Sequence, residues 1–164
     1  KFTDSFSRQA GYFLKQKVDA IICIASYQAA AGFIRDVRDI NFNVPIANIS
    51  FVDPEAMGEL LFQLEDMSGK TYTDNLINTQ VVPFYTSENL PARREYKLCM
   101  DQYKPVIPSQ FDDGTYKYKK YGAVSFEGFL NAKLIVNLLS QLGNDITRTN
   151  IQSVLQSLKE IDLG

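Results

Sequence analysis

Val18-Asp-Ala-Ile-Ile-Cys-Ile-Ala-Ser-Tyr27, then Gln28 to Asn41, then Asn43-Val-Pro-Ile-Ala-Asn-Ile-Ser50 is the stretch on which the fold turns. Ala20 to Ala25 is a continuous apolar run, as expected for a strand covered on both faces of a parallel sheet. Gln28 to Asn41 changes to helical period, with Ala30, Phe33, Ile34 and Val37 on the inward stripe. Arg35, Asp36, Arg38 and Asp39 make the wet face, where Arg35 and Asp39 are spaced as an i,i+4 ion pair. Pro45 to Ile49 is the next strand. Small polar and aromatic residues close each strand: Ser26 and Tyr27 after the first, Ser50 and Phe51 after the second. Open parallel α/β sheets bind ligands just beyond the carboxyl ends of their strands. These four residues are therefore the candidate ligand site.

Upstream, residues 4 to 17 read as a helix capped by Asp4 or Ser5, with Phe6, Ala10, Phe13 and Leu14 on one stripe. Downstream, Asp53-Pro54-Glu55 joins a cap residue, a first-turn proline and an acid at the positive end of a helix dipole. Met57, Leu60, Leu61 and Leu64 form that helix's apolar stripe, and Ser68-Gly69 stops it. Leu76 to Val82 is a third strand, ended by Pro83, and Phe84 to Pro91 a connecting loop. Ala92 to Tyr103 is a helix packing on Tyr96, Cys99, Met100 and Tyr103. Lys104 to Tyr121 is irregular, with a turn at Asp112-Asp113-Gly114 and the run Lys117-Tyr-Lys-Lys120. Val124 to Leu142 is a long helix closed by Gly143, and Thr147 caps a last one carrying Ile151, Val154, Leu155 and Leu158. Strand and helix alternate, so the class is α/β with a parallel sheet flanked by helices. The three final helices have no strands between them to cover, so a partner segment is expected to complete them.

The chain has 164 residues, 45% of them hydrophobic, a formal net charge of -2 and no His or Trp. With a pI of about 5.2, it lacks the basic balance of a nucleic-acid binder. Lys117 to Lys120 among tyrosines reads as a solvated loop, and Glu127 as a dipole-favourable acid. The absence of His removes the usual general base and the commonest metal ligand, so no metal or cofactor is expected. Glu55 with Asp53, or Asp112 with Asp113, could pair as carboxylates, but nothing places a nucleophile beside them; no catalytic residue is assigned. Cys23 and Cys99 lie in apolar settings and read as buried thiols, while spacing alone leaves a disulfide between them open. No apolar run approaches the roughly 18 residues of a membrane span. The first residue is Lys1, not Met, so the chain reads as processed or as a piece of something longer.

Taken in order, Val18-Asp-Ala-Ile-Ile, Ser26-Tyr27, Ala29-Ala-Ala-Gly-Phe-Ile-Arg35, Val44-Pro45 and Ser50-Phe51 resemble the type I periplasmic solute-binding proteins of the branched-chain amino-acid class. So do Thr79-Gln-Val-Val-Pro83, Arg94-Glu95-Tyr96, Val124-Ser-Phe-Glu-Gly-Phe-Leu-Asn-Ala-Lys133 and Asp162-Leu-Gly164. The resemblance spans nearly the whole chain except the loop from Lys104 to Lys120. It implies a two-lobe α/β fold that closes on its ligand, of which this chain matches the C-terminal half. Residues 1–78 would belong to the C-terminal lobe; residues 79–164 would cross over and complete the N-terminal lobe. The missing half of the same polypeptide would be the partner segment. It further implies a non-enzymatic, periplasmic or extracytoplasmic protein that binds an amino acid or related organic acid. The solute would be delivered to the permease of an ABC transporter; alternatively, the fold would serve as the sensor domain of a membrane receptor. Tyr27 matches an aromatic that closes over the ligand, with Ser26 beside it. Ser50 falls where the family's amino-acid binders carry an acid for the ligand ammonium, and Phe51 follows. A hydroxyl does not replace that charge. Asp53 is near enough for a shifted alignment to restore an acid, but its place before Pro54 already suffices for a helix start.

Overall fold

The structure, a computed structural model, describes residues 4–112, 114 and 119–164. Helix α1 (Ser7–Gln16), strand β1 (Ile21–Cys23), helix α2 (Tyr27–Asp39), strand β2 (Ile46–Asn48), helix α3 (Pro54–Ser68) and strand β3 (Leu76–Asn78) alternate as expected. Helices α4 (Pro91–Tyr103), α5 (Ala123–Leu142) and α6 (Arg148–Ser157) follow. The chain divides into two compact units, 1–81 and 82–164.

In the first unit the three strands run parallel in the order β1-β2-β3. Ile21, Ile46 and Leu76 are in register on one face, against a core with Ile34, Val37, Met57 and Leu61. Ile22, Ala47 and Ile77 are in register on the other. That second face is open: Ile22 is 76% and Ile24 70% exposed. The coverage of β1 on both faces expected from its apolar run is therefore not met within the described residues. Crossovers between parallel strands keep one hand, and the sheet is built in chain order. Helices α2 and α3, packed on each other, consequently fall on the same side. Strand β3 stops at Asn78, four residues before the expected end, because β2, its partner, ends at Asn48.

Two polar expectations for this unit are corrected. Asp36 and Arg38 are not on a wet face; both are buried. Arg38 donates to the carbonyls of Phe42 (2.8 Å), Val44 (3.1 Å) and Asp74 (2.7 Å), tying the α2–β2 loop to the approach to β3. Asp36 accepts from the Phe6 N–H (2.6 Å), the Ser5 hydroxyl (3.3 Å) and Arg35 Nε (2.7 Å). This long-range acceptance supplements the cap expected at Asp4 or Ser5: the N-cap of α1 is Phe6, and the Ser5 hydroxyl accepts from the Ser7 N–H at 3.5 Å. It also removes the expected Arg35–Asp39 pair, since Arg35 pairs with Asp36 and Asp39 with Lys70. Phe6 and Phe13 both meet Phe33 edge-on and so fasten α1 to α2. A side chain at Gly32 would come within 3.2 Å of the Phe6 ring. Asp53 starts α3 as expected, accepting from the Ala56 N–H (3.1 Å), and Gly69 ends it at φ +68°.

The second unit is organised around Tyr96. Its ring meets those of Tyr85, Tyr121, Phe126 and Phe129. Its hydroxyl is held by Ser125 Oγ and by the Gly122 N–H just ahead of α5. Gly143 follows α5, and Thr147 caps α6 by accepting from the Asn150 N–H (3.2 Å). Tyr103 is not on the packed stripe but 72% exposed, because that stripe ends with Met100 and Tyr103 is the last residue of α4. Cys23 and Cys99 are free thiols, and each is only half-buried. Between α4 and α5 there is a short 3₁₀ turn, Ser109–Phe111, and the Gly114 N–H donates to Asp112 Oδ1 (3.2 Å). Asp113 and residues 115–118, including Lys117, lie outside the described residues. Among the described residues no helix is long and apolar enough to cross a membrane.

Candidate functional site

The carboxyl ends of β1 and β2, which are paired strands, bring the four candidate residues to one end of the sheet. Ser26 is the N-cap residue of α2 in extended backbone, and its carbonyl accepts from the Ala30 N–H (2.8 Å). Its hydroxyl makes no cap bond and is exposed. Tyr27 opens α2; its ring packs partly on the core, and its hydroxyl accepts from Gln28 Nε2 (3.4 Å). Beyond β2 the chain makes one 3₁₀ turn, Ser50–Val52, closed by the Val52 N–H on the Ile49 carbonyl (3.1 Å). Within it Val52 is buried at 1% exposure, whereas Phe51 is turned outward at 61%. A three-residue turn cannot bury consecutive side chains on one side, so anchoring Val52 in the core leaves Phe51 outside.

Asp53 follows with φ +56°, and its carboxylate is directed into the first turn of α3. That engagement favours its role as a helix start over the alternative of a ligand acid. Glu55 lies two positions before Met57, about 200° around the helix from that buried residue. The four candidate residues at this end, Ser26, Tyr27, Ser50 and Phe51, carry no formal charge; two are aromatic and three bear a hydroxyl. Burial pushes the Cys23 thiol pKa up, which disfavours the reactive thiolate at the end of β1. Among the described residues no three His, Cys, Asp or Glu side chains are grouped to hold a metal ion.

One residue at this end was missed by sequence reasoning. Asn48, the last residue of β2, is fully buried. Its Nδ2 donates to Asn78 Oδ1 across to β3 (3.1 Å), and its carbonyl accepts from the N–H (3.1 Å) and the hydroxyl (3.2 Å) of Thr79. Its own Oδ1 has no partner. This rung fixes the end of β2 two residues before Ser50. The signal was one amide within the apolar run Pro45 to Ile49.

No family model and no curated protein matches the chain. Among solved structures, it is similar to a crystal structure described as a possible leucine/isoleucine/valine-binding protein from Rhodopirellula baltica SH 1. The two share 27% identity and superpose with a TM-score of 0.67 over 90% of this chain. This chain carries part of the type I periplasmic-binding-protein fold. It spans 34% of the length of that neighbour, consistent with part of the C-terminal half of such a protein.

Proposed function

We propose that this chain is part of an extracytoplasmic solute-binding protein that binds a small solute, an amino acid or related organic acid, and delivers it to an ABC transporter permease. The observation that carries this reading is the placement of Tyr27 and Phe51, with Ser26 and Ser50, at the carboxyl ends of adjacent parallel strands in a fold similar to that of the Rhodopirellula protein. Residues 1–78 would form part of the C-terminal lobe, and residues 79–164 would cross over to complete the N-terminal lobe. Binding would work by hinge closure: the solute contacts the closed state more extensively than the open one, and this difference in affinity shifts the population. The remainder of the same polypeptide would cover the open face of the sheet, since parallel sheets are ordinarily packed on both sides.

A thermal-shift panel of amino acids, aliphatic and aromatic acids and sugars on the full-length protein tests the proposal. Ligand at about a hundredfold over its Kd stabilises by about 2.7 kcal/mol, a readily seen shift. Tyr27→Ala should then weaken binding of the hit at least tenfold, as judged by calorimetry. A panel without any shift would defeat the solute-binding reading.

A further inference from the structure

We propose that the solute site extends across the end of β3, where Asn78 offers its side-chain amide as a donor to the ligand and Asn48 holds that amide in place. The ligand group it meets is a carboxylate, which amino acids and organic acids share. The inference rests on the solute-binding reading and adds a residue to its site.

Cys23, Asn48 and Asn78 form the last register row of the sheet, two residues beyond the apolar row of Ile21, Ile46 and Leu76. An aliphatic side chain at position 48 would continue that core. A buried amide costs desolvation instead, and costs more when one of its atoms is unpaired. Asn48 is fully buried, and its Oδ1 has no partner among the described residues. Such a departure from the core pattern is expected where a residue serves function rather than packing. The other groups of Asn48 all reach β3. Its Nδ2 donates to Asn78 Oδ1 (3.1 Å), and its carbonyl accepts from the Thr79 N–H (3.1 Å) and hydroxyl (3.2 Å). One buried residue thus pins both the side chain and the backbone at the end of β3. Asn78 itself is exposed, at the carboxyl end of its strand and beside the end of β2 that leads to Ser50. That is where parallel α/β sheets place their ligands. With its oxygen engaged by Asn48, the planar amide of Asn78 keeps Nδ2, with two N–H donors, for a ligand oxygen. A donor already held in place binds with a smaller ordering cost than a free one.

Two substitutions in the full-length protein separate the roles of this amide. Asn78→Asp keeps an oxygen for Asn48 and replaces the donors with a second oxygen, whereas Asn78→Leu removes both. Each variant is titrated calorimetrically with L-leucine, with 4-methylpentanoate and with any other carboxylate that stabilises the parent in the thermal-shift panel. The expected result is that Asn78→Asp retains the melting temperature of the parent yet binds the carboxylate at least tenfold more weakly. Asn78→Leu should lose melting temperature as well as affinity. Undiminished affinity in Asn78→Asp overturns the inference and leaves the solute-binding reading standing. A loss of melting temperature in Asn78→Asp as large as that in Asn78→Leu does the same, as does a panel that responds only to solutes without a carboxylate. Silence from both probes and from the whole panel overturns the inference and the reading together.

Discussion

Arg38 and Asp36 show how a charged residue on a helix can serve the interior. Arg38 satisfies three backbone carbonyls that no strand or helix reaches. Replacing it with Met leaves those carbonyls without their charged donor, so Arg38→Met is expected to cost at least about 2 kcal/mol in urea unfolding. Asp36 carries a pH signature. Burial alone would raise its pKa, but the Arg35 hydrogen bond, the Phe6 N–H, the Arg35 charge and the Ser5 hydroxyl outweigh it and hold the carboxyl below its ordinary value. A group with a depressed folded-state pKa stabilises the protein above its unfolded pKa, about 3.9 for Asp, and loses that contribution as the pH falls through the folded value. The melting temperature of the parent protein is therefore expected to fall more steeply below about pH 4 than that of Asp36→Asn, which is the less stable of the two at neutral pH. Neither role was legible in the sequence. The helical period marked both residues as outward-facing, and only the loops folding back to offer the Phe6 N–H and three carbonyls turn that face inward.

At the scale of elements, the helices were more legible than the strands. The Asp53-Pro54 start, the Gly69 and Gly143 stops and the Thr147 cap are local chemistry and stand where the residues placed them. Strand ends depend on the neighbouring strand, and β3 is short because β2 is short. The same division applies to the candidate site. Ser26, Tyr27, Ser50 and Phe51 follow from where strands end, whereas the Asn48–Asn78–Thr79 rung needs residues 30 apart in the chain. The α3 start also offers a discriminating pair of substitutions. Asp53→Ala loses the cap and keeps an unfavourable left-handed backbone, so a loss of about 1–2 kcal/mol is expected. Asp53→Gly loses the same cap but relieves the backbone at φ +56°, and should fall by only a few tenths of a kcal/mol. Chemical denaturation of the two variants measures the difference.

At the scale of the molecule, the open face of the sheet separates what this chain contains from what its fold requires. If the rest of a longer polypeptide covers Ile22, Ala47 and Ile77, then Ile22→Lys in the full-length protein buries an unpaired charge. It should lower stability by more than about 3 kcal/mol; a side chain that stayed as exposed as in this chain alone would change it by about 0.5 kcal/mol or less. The melting temperature of the full-length variant distinguishes the two. The covered face has a different consequence. Strand pairs join residues 25 and 30 positions apart, as Ile21 with Ile46 and Ile46 with Leu76, and the Arg38 bridge to Asp74 spans 36. Every one of these closures is complete once residue 78 has left the ribosome. The first unit can therefore assemble while residues 82–164 are still being delivered, and the order of synthesis becomes an order of folding.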